Sequence, residues 1–409
     1  MKVFKVEGGV PLYGEVNISG SKNAALPVIF ATLVARGVSK IEGVPEIGDI
    51  AVALEIIRSL GAKIKKIGDS LFVDTTNLEY KKIDPGLTGS IRASTYLLGA
   101  CLGRFHECNL CSFGGCKFSD RPIDMHLMAF KEFGGLTEGE KIKLKSPRVA
   151  NIKFEKPSVG ATINALILAA SIDGVSTISG FAREPHVLSL CDYLRSAGAE
   201  IEFSKEKITV RGGRLGGGKT KIIPDMIEAG TYLCAAATAG GKVTVRGVDP
   251  SHLRAFLEAL ENIGAKISAQ GDAVTVEQPR FPQYASVCAE AYPGFPTDLQ
   301  PIIAPVLAAS GGGRIEDRVW LGRYGYLDVL KSFGLKYKLS SVGAEIYPSD
   351  FSPARVCAPD LRGGAAALIC ALRAKGESTV SYAEYILRGY ERPEEKLTSL
   401  GAKIRICDE

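Results

Sequence analysis

Cys116 is the residue whose surroundings most clearly point to chemistry. It lies in Phe113-Gly114-Gly115-Cys116-Lys117-Phe118-Ser119-Asp120-Arg121-Pro122-Ile123-Asp124-Met125-His126, between glycines and cations. Positive charge on Lys117 and Arg121 stabilises a thiolate, so this thiol should ionise more easily than a free one. The glycines let the backbone bend. Asp120 reads as an N-cap and Pro122 as the first residue of a helix. A nucleophile or acid would then sit just ahead of a helix start that attracts anions. Taken alone, the stretch also reads as a surface loop that carries one of ten cysteines.

Three further cations stand where helices should begin: Lys22 after Gly20-Ser21, Arg92 after Gly89-Ser90-Ile91, and Arg362 after Asp360-Leu361. The first turn of a helix favours acids over bases. Cations placed there suggest a shared anionic ligand whose charge offsets both the cation and the dipole.

The elements that must position these residues repeat six times. The phrase runs Leu60-Gly61-Ala62-Lys63, Phe133-Gly134-Gly135-Leu136, Ala197-Gly198-Ala199-Glu200, Ile263-Gly264-Ala265-Lys266, Phe333-Gly334-Leu335-Lys336 and Leu400-Gly401-Ala402-Lys403. Each copy closes an amphipathic helical pattern, such as 49–60 and 252–263, and the glycine is the stop. Alternating strand residues follow, as in 199–203 and 207–210. Each copy also carries an Ala- and Leu-rich helix, starting near 20, 89, 158, 228, 296 and 360. These helices are apolar on nearly every face, as in 161–170, and a helix of that kind is buried. Three such units can bundle their apolar helices inside a ring of sheets. Six make two domains of α/β class with buried central helices.

The bulk composition excludes several classes. The 409 residues carry 50 basic and 45 acidic side chains, a net +5. That balance is too mild to argue for nucleic acid. No apolar run reaches the length of a membrane span. The first residues lack the apolar core and cleavage site of a signal peptide, so the expectation is a cytoplasmic protein with no membrane partner. Cys108, Cys111 and Cys116 raise the question of zinc. However, there is no second CxxC pair and His106, His126, His186 and His252 are scattered, so neither metal nor cofactor is expected. Gly213-Arg214-Leu215-Gly216-Gly217-Gly218-Lys219-Thr220 matches a phosphate-loop pattern, which requires a helix directly after it. Extended residues and Pro224 follow instead, and the glycine run reads as an interdomain linker.

With these segments placed, the sequence resembles the UDP-N-acetylglucosamine enolpyruvyl transferase family over essentially its whole length. The resemblance is carried by 18–27 (ISGSKNAALP), the cysteine loop through Arg121-Pro122-Ile123-Asp124, Ala182-Arg183-Glu184-Pro185, Phe295-Pro296-Thr297-Asp298-Leu299-Gln300, Asp360-Leu361-Arg362 and Arg388-Gly389-Tyr390-Glu391. It implies a two-domain inside-out α/β barrel of six βαβαββ repeats, three per domain. Residues 22–221 would form the N-terminal domain with the cysteine loop, and residues 1–21 plus 222–409 the C-terminal one. The implied reaction moves the enolpyruvyl group of phosphoenolpyruvate to the 3'-hydroxyl of UDP-N-acetylglucosamine, releasing phosphate, as the first committed step of peptidoglycan synthesis. By resemblance the catalytic residues are Cys116, Asp298, Lys22 and Arg388. Cys116 would protonate the substrate carbon and Asp298 would take the hydroxyl proton. Lys22, Asn23, Arg121, Arg362 and Arg388 would hold phosphoenolpyruvate. Arg92, Arg121, Pro122, Ile123, Asp124, Met125, Lys156, Pro157, Ser158, Val159, Asp298 and Val319 would hold the sugar nucleotide. The residues themselves allow a plainer role for Asp298, a helix cap.

Three positions depart from the family pattern. Met226 stands where an arginine is usual, Gly48 lies near a usual lysine, and Trp320-Leu321-Gly322-Arg323 replaces an aromatic-rich stretch. They bear on control of the cysteine loop and on turnover. The alternatives are a divergent second copy with weak activity, a sugar-nucleotide-binding regulator, or enolpyruvyl transfer to another acceptor such as shikimate 3-phosphate. An RNA 3'-phosphate cyclase would need a histidine near the C-terminus, and the last one here is His252. The oligomeric state is left open by the sequence.

Overall fold

The computed structural model describes residues 1–110, 114 and 122–409. Cys116 and Arg121, together with Asp120 and Lys117, lie outside the described residues. The chain divides into two compact units, one of Met1–Ser19 with Pro224–Glu409 and one of Gly20–Ile223.

In the unit Gly20–Ile223, three helices carry the apolar interior: Lys22–Ala31, Leu97–Phe105 and Val159–Ser171. In the last of these every residue from Ala161 to Ala170 is buried. Ser158 opens it, its Oγ accepting from the Ala161 amide at 3.4 Å. A side chain such as Leu166 has no exposed face. Cutting it to alanine typically costs about 2–5 kcal/mol, through lost transfer energy and the cavity left behind. The amphipathic helices Gly48–Ser59, Asp124–Glu132 and Pro185–Ser196 pack against these three.

In the unit Met1–Ser19 with Pro224–Glu409, the interior helices Met226–Ala239, Gln300–Ala308 and Leu361–Arg373 each pack on the other two. Asp225 caps the first, accepting from the amides of Ile227 at 2.8 Å and Glu228 at 3.0 Å. Asp360 caps the third in the same way, at 2.9 and 2.8 Å. Such caps satisfy amides that have no partner within the helix.

Five four-stranded sheets share one order, two antiparallel pairings and then one parallel pairing. In the sheet Glu200–Phe203, Lys207–Gly212, Gly174–Ser179, Asn151–Lys153, the parallel pair is joined through the buried helix Val159–Ser171. A parallel pair needs such a crossover, which is why this apolar helix lies against its own sheet. Gln300–Ala308 joins Ala285–Ala289 to Gly313–Asp317, and Leu361–Arg373 joins Arg355–Cys357 to Gly376–Ser381, in the same manner. A sixth sheet, Glu107–Asn109 with Lys141–Leu144 and Gly135–Glu138, has three strands among the described residues.

Three sheets complete themselves with distant chain. Lys2–Gly8 lies between Gly376–Ser381 and Lys403–Asp408, and Leu12–Asn17 pairs in parallel with Gly241–Arg246. Lys219–Lys221 pairs in parallel with Val38–Glu42. This corrects the linker reading of the glycine-rich stretch. Leu215 is buried, Gly216 bridges Arg36, and the end of the stretch is an edge strand of the unit Gly20–Ile223. No helix follows it there, so the phosphate-loop geometry is absent.

The six phrase glycines behave as one set. Gly61, Gly134, Gly198, Gly264, Gly334 and Gly401 have φ between +94° and +116°, the left-handed region that stops a helix. Ala62, Ala199, Ala265 and Ala402 then donate five residues back, at 3.0–3.1 Å, which closes the last turn. Several helix starts differ from the sequence expectation; the helices expected near 89 and 296 open with the 3-10 turns Arg92–Tyr96 and Thr297–Leu299 and become α-helical at Leu97 and Gln300. Pro122 is not helical, because the helix is Asp124–Glu132 with Ile123 ahead of it. The fourth apolar helix begins at Met226, with Glu228 in its first turn, since Asp225 supplies the cap.

Candidate active site

Asp298 follows Pro296 and Thr297 in a short 3-10 turn, Thr297–Leu299, which leads into Gln300–Ala308. Its carboxylate does not cap that helix, which overturns the plainer reading. Instead it is held between two guanidinium groups. Arg323 Nη1 donates to Oδ1 at 3.1 Å, and Arg362 donates to Oδ2 from Nη2 at 3.1 Å and Nε at 3.3 Å. Both arginine side chains are almost wholly buried, at 5% and 3% exposure, while Asp298 keeps 30%. The carboxylate therefore has an open side, and the cations do not.

The surroundings fix this clasp. Arg362 lies in the first turn of Leu361–Arg373, its guanidinium carbon 5.3 Å from the centre of the Tyr390 ring. Burial works against its charge, but Tyr390, Asp298 and Asp225 outweigh burial and hold its pKa above the usual range. Burial also raises the Tyr390 hydroxyl, which pairs with Thr231 Oγ1 at 2.8 Å. Arg323 also donates to the Thr297 carbonyl at 3.0 Å and Thr297 Oγ1 at 3.2 Å. Thr297 Oγ1 in turn donates to Asp317 Oδ2 at 2.6 Å. The other oxygen of Asp317 accepts from the amides of Val319 and Trp320 at 2.9 and 2.8 Å, which ties off the turn at the end of Gly313–Asp317. The Val319 amide is thus already committed, and its side chain is exposed. Arg388 is half-buried at the end of Ala383–Leu387, two residues before Tyr390.

In the unit Gly20–Ile223, Lys22 opens Lys22–Ala31 and its Nζ lies 3.2 Å from Asp49 Oδ2; both side chains are nearly buried. Asp49 stands in the first turn of Gly48–Ser59, where a carboxylate is favoured. Of the three cations read at helix starts, Lys22 and Arg362 thus face carboxylates of the protein itself. Asn23 beside Lys22 is half-buried.

Arg92 is half-buried at the start of the turn Arg92–Tyr96, and burial lowers its pKa. It presses electrostatically on His126, whose pKa is pushed down to about 4 by burial first and by Arg92 second. His126 Nδ1 meets Asn164 Nδ2 at 2.9 Å, and Asn164 also donates to the Thr95 carbonyl at 3.1 Å and accepts from the Gly99 amide at 2.7 Å. One buried amide thus ties together the segments that carry Arg92, the start of Asp124–Glu132 and the helix that follows Ser158. Asp124, Lys156, Pro157 and Pro122 are exposed; Ile123, Met125, Ser158 and Val159 are half-buried. Among the described residues, no group of three or more His, Cys, Asp or Glu could hold a metal ion.

A sequence model of the EPSP synthase (3-phosphoshikimate 1-carboxyvinyltransferase) family matches residues 6–397. The chain belongs to that family of enolpyruvyl transferases. Among curated relatives, it is 38% identical to UDP-N-acetylglucosamine 1-carboxyvinyltransferase 1 of Streptococcus agalactiae, with all of both chains covered. It is 36% identical to UDP-N-acetylglucosamine 1-carboxyvinyltransferase 2 of Staphylococcus aureus, with 98% of each covered. Among solved structures, the enolpyruvyl transferase NikO from Streptomyces tendae superposes with a TM-score of 0.88 at 26% identity, with 99% of each chain covered. EPSP synthase from Acinetobacter baumannii reaches 0.75 at 16% identity over both whole chains, a likeness of fold alone. The fold is mixed α/β, as this family's structures are.

The sequence reading missed Arg323 and Asp49 as partners of site residues in this enolpyruvyl transferase. Asp49 carried a signal, an acid at a helix start. Arg323 carried none, since it sits in the turn where the family resemblance breaks. Met226, another of the departures, is half-buried in the first turn behind the Asp225 cap. Among the described residues, no helix is long and apolar enough to cross a membrane.

Proposed function

We propose that this chain transfers the enolpyruvyl group of phosphoenolpyruvate to the 3'-hydroxyl of UDP-N-acetylglucosamine, releasing phosphate, in the committed step of peptidoglycan synthesis. The observation that carries the reading is full-length identity of 36–38% to relatives named for that reaction. Asp298, placed on a buried helix start between two arginines, supports it from the geometry.

The chemistry is addition followed by elimination. The acceptor hydroxyl adds to C2 of phosphoenolpyruvate while a proton is delivered to C3. The tetrahedral adduct then loses a proton from that methyl carbon and expels phosphate. Addition needs one group that gives a proton and another that takes one. Cys116 is assigned as the donor and Asp298 as the acceptor. Arg362 and Arg388, with Lys22, Asn23 and Arg121, are assigned to the anionic groups of phosphoenolpyruvate. Forked guanidinium donors suit carboxylate and phosphate, while Lys22 acts as a point charge. Arg92, Arg121, Pro122 to Met125, Lys156 to Val159, Asp298 and Val319 are assigned to the sugar nucleotide. The two-domain inside-out barrel, with residues 22–221 as one domain and 1–21 plus 222–409 as the other, belongs to the same reading. It is supported by the shared strand order of five sheets and by the two sets of three apolar helices.

The test is phosphate release from phosphoenolpyruvate with either UDP-N-acetylglucosamine or shikimate 3-phosphate as acceptor. Release with the sugar nucleotide is the expected result. Release with shikimate 3-phosphate alone, or with neither, would overturn the assignment.

A further inference from the structure

We propose that the outward face of one sheet in the unit Gly20–Ile223 is a docking surface for an acidic amphipathic helix of a partner protein. The sheet runs Lys219–Lys221, Val38–Glu42, Ser70–Asp74, Lys63–Ile67. Ser39, Ile41, Leu71 and Val73 are buried in the core. Side chains alternate along a strand, so the residues between them face outward. There, Lys219, Lys40, Phe72 and Lys65 form one row across all four strands. Lys221, Glu42, Ser70 and Ile67 form the row on one side of it, and Val38, Asp74 and Lys63 the row on the other. Val38 and Ile67 are 55% and 53% exposed. They are diagonal cross-strand neighbours of Phe72, each about 7–8 Å from it. The three make an apolar line about 15 Å long. Lys63 and Lys65 flank it on one side, and Lys40, Lys219 and Lys221 on the other.

The charge on this face is unbalanced in a way that two of the other sheets avoid. In those, a carboxylate stands between two cations of one row: Glu277 between Lys242 and Lys266, and Glu345 between Arg314 and Lys338. Here Phe72 stands between Lys40 and Lys65, and Lys219 lies directly across from Lys40. Of the two carboxylates on the face, Glu42 pairs with Lys40, and Asp74 accepts from the Thr76 amide at 2.9 Å. Lys221 and Lys63 act on these two only at a distance. Among the described residues, Lys63, Lys65, Lys219 and Lys221 have no ion-pair partner. Like charges opposite one another weaken a sheet, and carboxylates brought from outside would relieve them. A single exposed apolar side chain is ordinary, whereas an apolar line rimmed by charge has the make-up of an interaction site. Its complement is a helix with one apolar stripe and carboxylates on both sides of the stripe. At 1.5 Å per residue, about ten helical residues span the line. The line is one side chain wide, which matches a helix; a bilayer surface would call for no line.

The test uses the whole chain and a fluorescent peptide with leucines at i, i+4 and i+7 and glutamates on both sides of them, read by anisotropy. Saturable binding is expected. It should weaken about tenfold or more when Lys65→Glu is combined with Lys219→Glu, and should weaken also in Phe72→Thr and at high salt. A peptide with lysines in place of the glutamates should not bind. Phosphate release should stay at the wild-type rate in these variants, because none of the three residues belongs to the candidate site. If charge reversal prevents folding, Lys65→Gln with Lys219→Gln takes its place. In cells that make this chain, a benzoylphenylalanine placed at Ile67 should cross-link, on illumination, to an acidic amphipathic segment of another protein. The same group at Tyr13, which is 62% exposed on a different sheet, should not. Absence of peptide binding, equal binding by the lysine-altered chain, or capture by phosphatidylglycerol vesicles without peptide binding would overturn the proposal. So would the absence of a cross-link from position 67, or one to a segment without carboxylates.

Discussion

Lys396 Nζ lies 2.6 Å from Glu228 Oε1, in an ion pair whose carboxylate side chain is 2% exposed. The second oxygen of Glu228 accepts from the Ser19 amide at 2.7 Å, and Lys396 also donates to Ser19 Oγ at 2.6 Å. Ser19 Oγ donates in turn to Glu391. Ser19 is the last residue of its unit before the chain passes into the other, so this cluster anchors the point of departure.

The anchor should depend on pH. Burial raises the Glu228 carboxyl to about 7, with Lys396 pulling the other way. A folded pKa above the unfolded value means that folding favours the protonated form. Stability from this group is therefore complete below about 4.5 and is lost as pH rises through about 7. Glu228→Gln cannot ionise. Relative to wild type it should gain up to roughly 3 kcal/mol of unfolding free energy between pH 4.5 and 8. Urea unfolding of both proteins at several pH values reads this directly. A difference that stays flat across the range would mean that Glu228 ionises normally in the fold.

His126 should act in the opposite direction. It is buried, and its pKa lies at about 4, below the ordinary 6.5. The folded state thus favours the neutral ring. Its contribution is complete above about 6.5 and is lost as pH falls through about 4. His126→Gln also gives up the present bond to Asn164, a loss of about 1–3 kcal/mol at neutral pH. The gap between variant and wild type should narrow as pH falls from 6.5 to 4, in the same urea titration. A gap that widens in acid would contradict a buried neutral histidine.

Asp298→Asn separates chemistry from binding. Asparagine can still accept from one arginine, but it is a poor base. Turnover should fall by about 10²–10⁴ while sugar-nucleotide affinity stays within about tenfold. Two buried guanidiniums also lose their counter-charge, so the variant should melt earlier than wild type. Phosphate release, calorimetric titration and thermal melting on one preparation check all three. Wild-type turnover would leave Asp298 a purely structural partner of the arginines.

Local pattern made much of the fold legible. Six helix-stop glycines, a buried helix in each repeat and strands after each stop can all be read from periodicity, because each depends on residues within one turn or one pleat. The pairing of Lys2–Gly8 with Gly376–Ser381 cannot be read that way, since nothing local in either strand names a partner more than 300 residues away. The candidate site divides similarly. Asp298 at a helix entrance looks like a cap, and only the tertiary approach of Arg323 and Arg362 shows what its carboxylate does. Arg323 lay in a turn with no periodic signal, so its role was legible only in three dimensions. Pro122 misled because proline favours a first helical turn, yet the helix waits until Asp124.

The cysteines allow the most selective test of the proposed chemistry. Cys101, Cys108, Cys191, Cys234 and Cys370 are buried. Burial pushes the Cys191 thiol up to about 12 and raises Cys234 and Cys370 far above the ordinary value. A buried neutral thiol is a poor nucleophile. Cys288 is partly exposed, but burial and its acidic neighbours raise it as well. Cys357 is exposed, so a general alkylating reagent should mark it whatever the function. Fosfomycin, an epoxide that resembles phosphoenolpyruvate, alkylates the loop cysteine in the family that the sequence resembles. It should therefore place one adduct on Cys116, faster with UDP-N-acetylglucosamine present, and leave Cys357 untouched. Cys116→Asp should lose this sensitivity and keep activity, because a carboxyl group can deliver a proton but cannot form the thioether. Intact mass and peptide mapping locate the adduct, with phosphate release measured on both proteins. An adduct on Cys357 or Cys108, or full activity with Cys116 modified, would remove Cys116 from the mechanism.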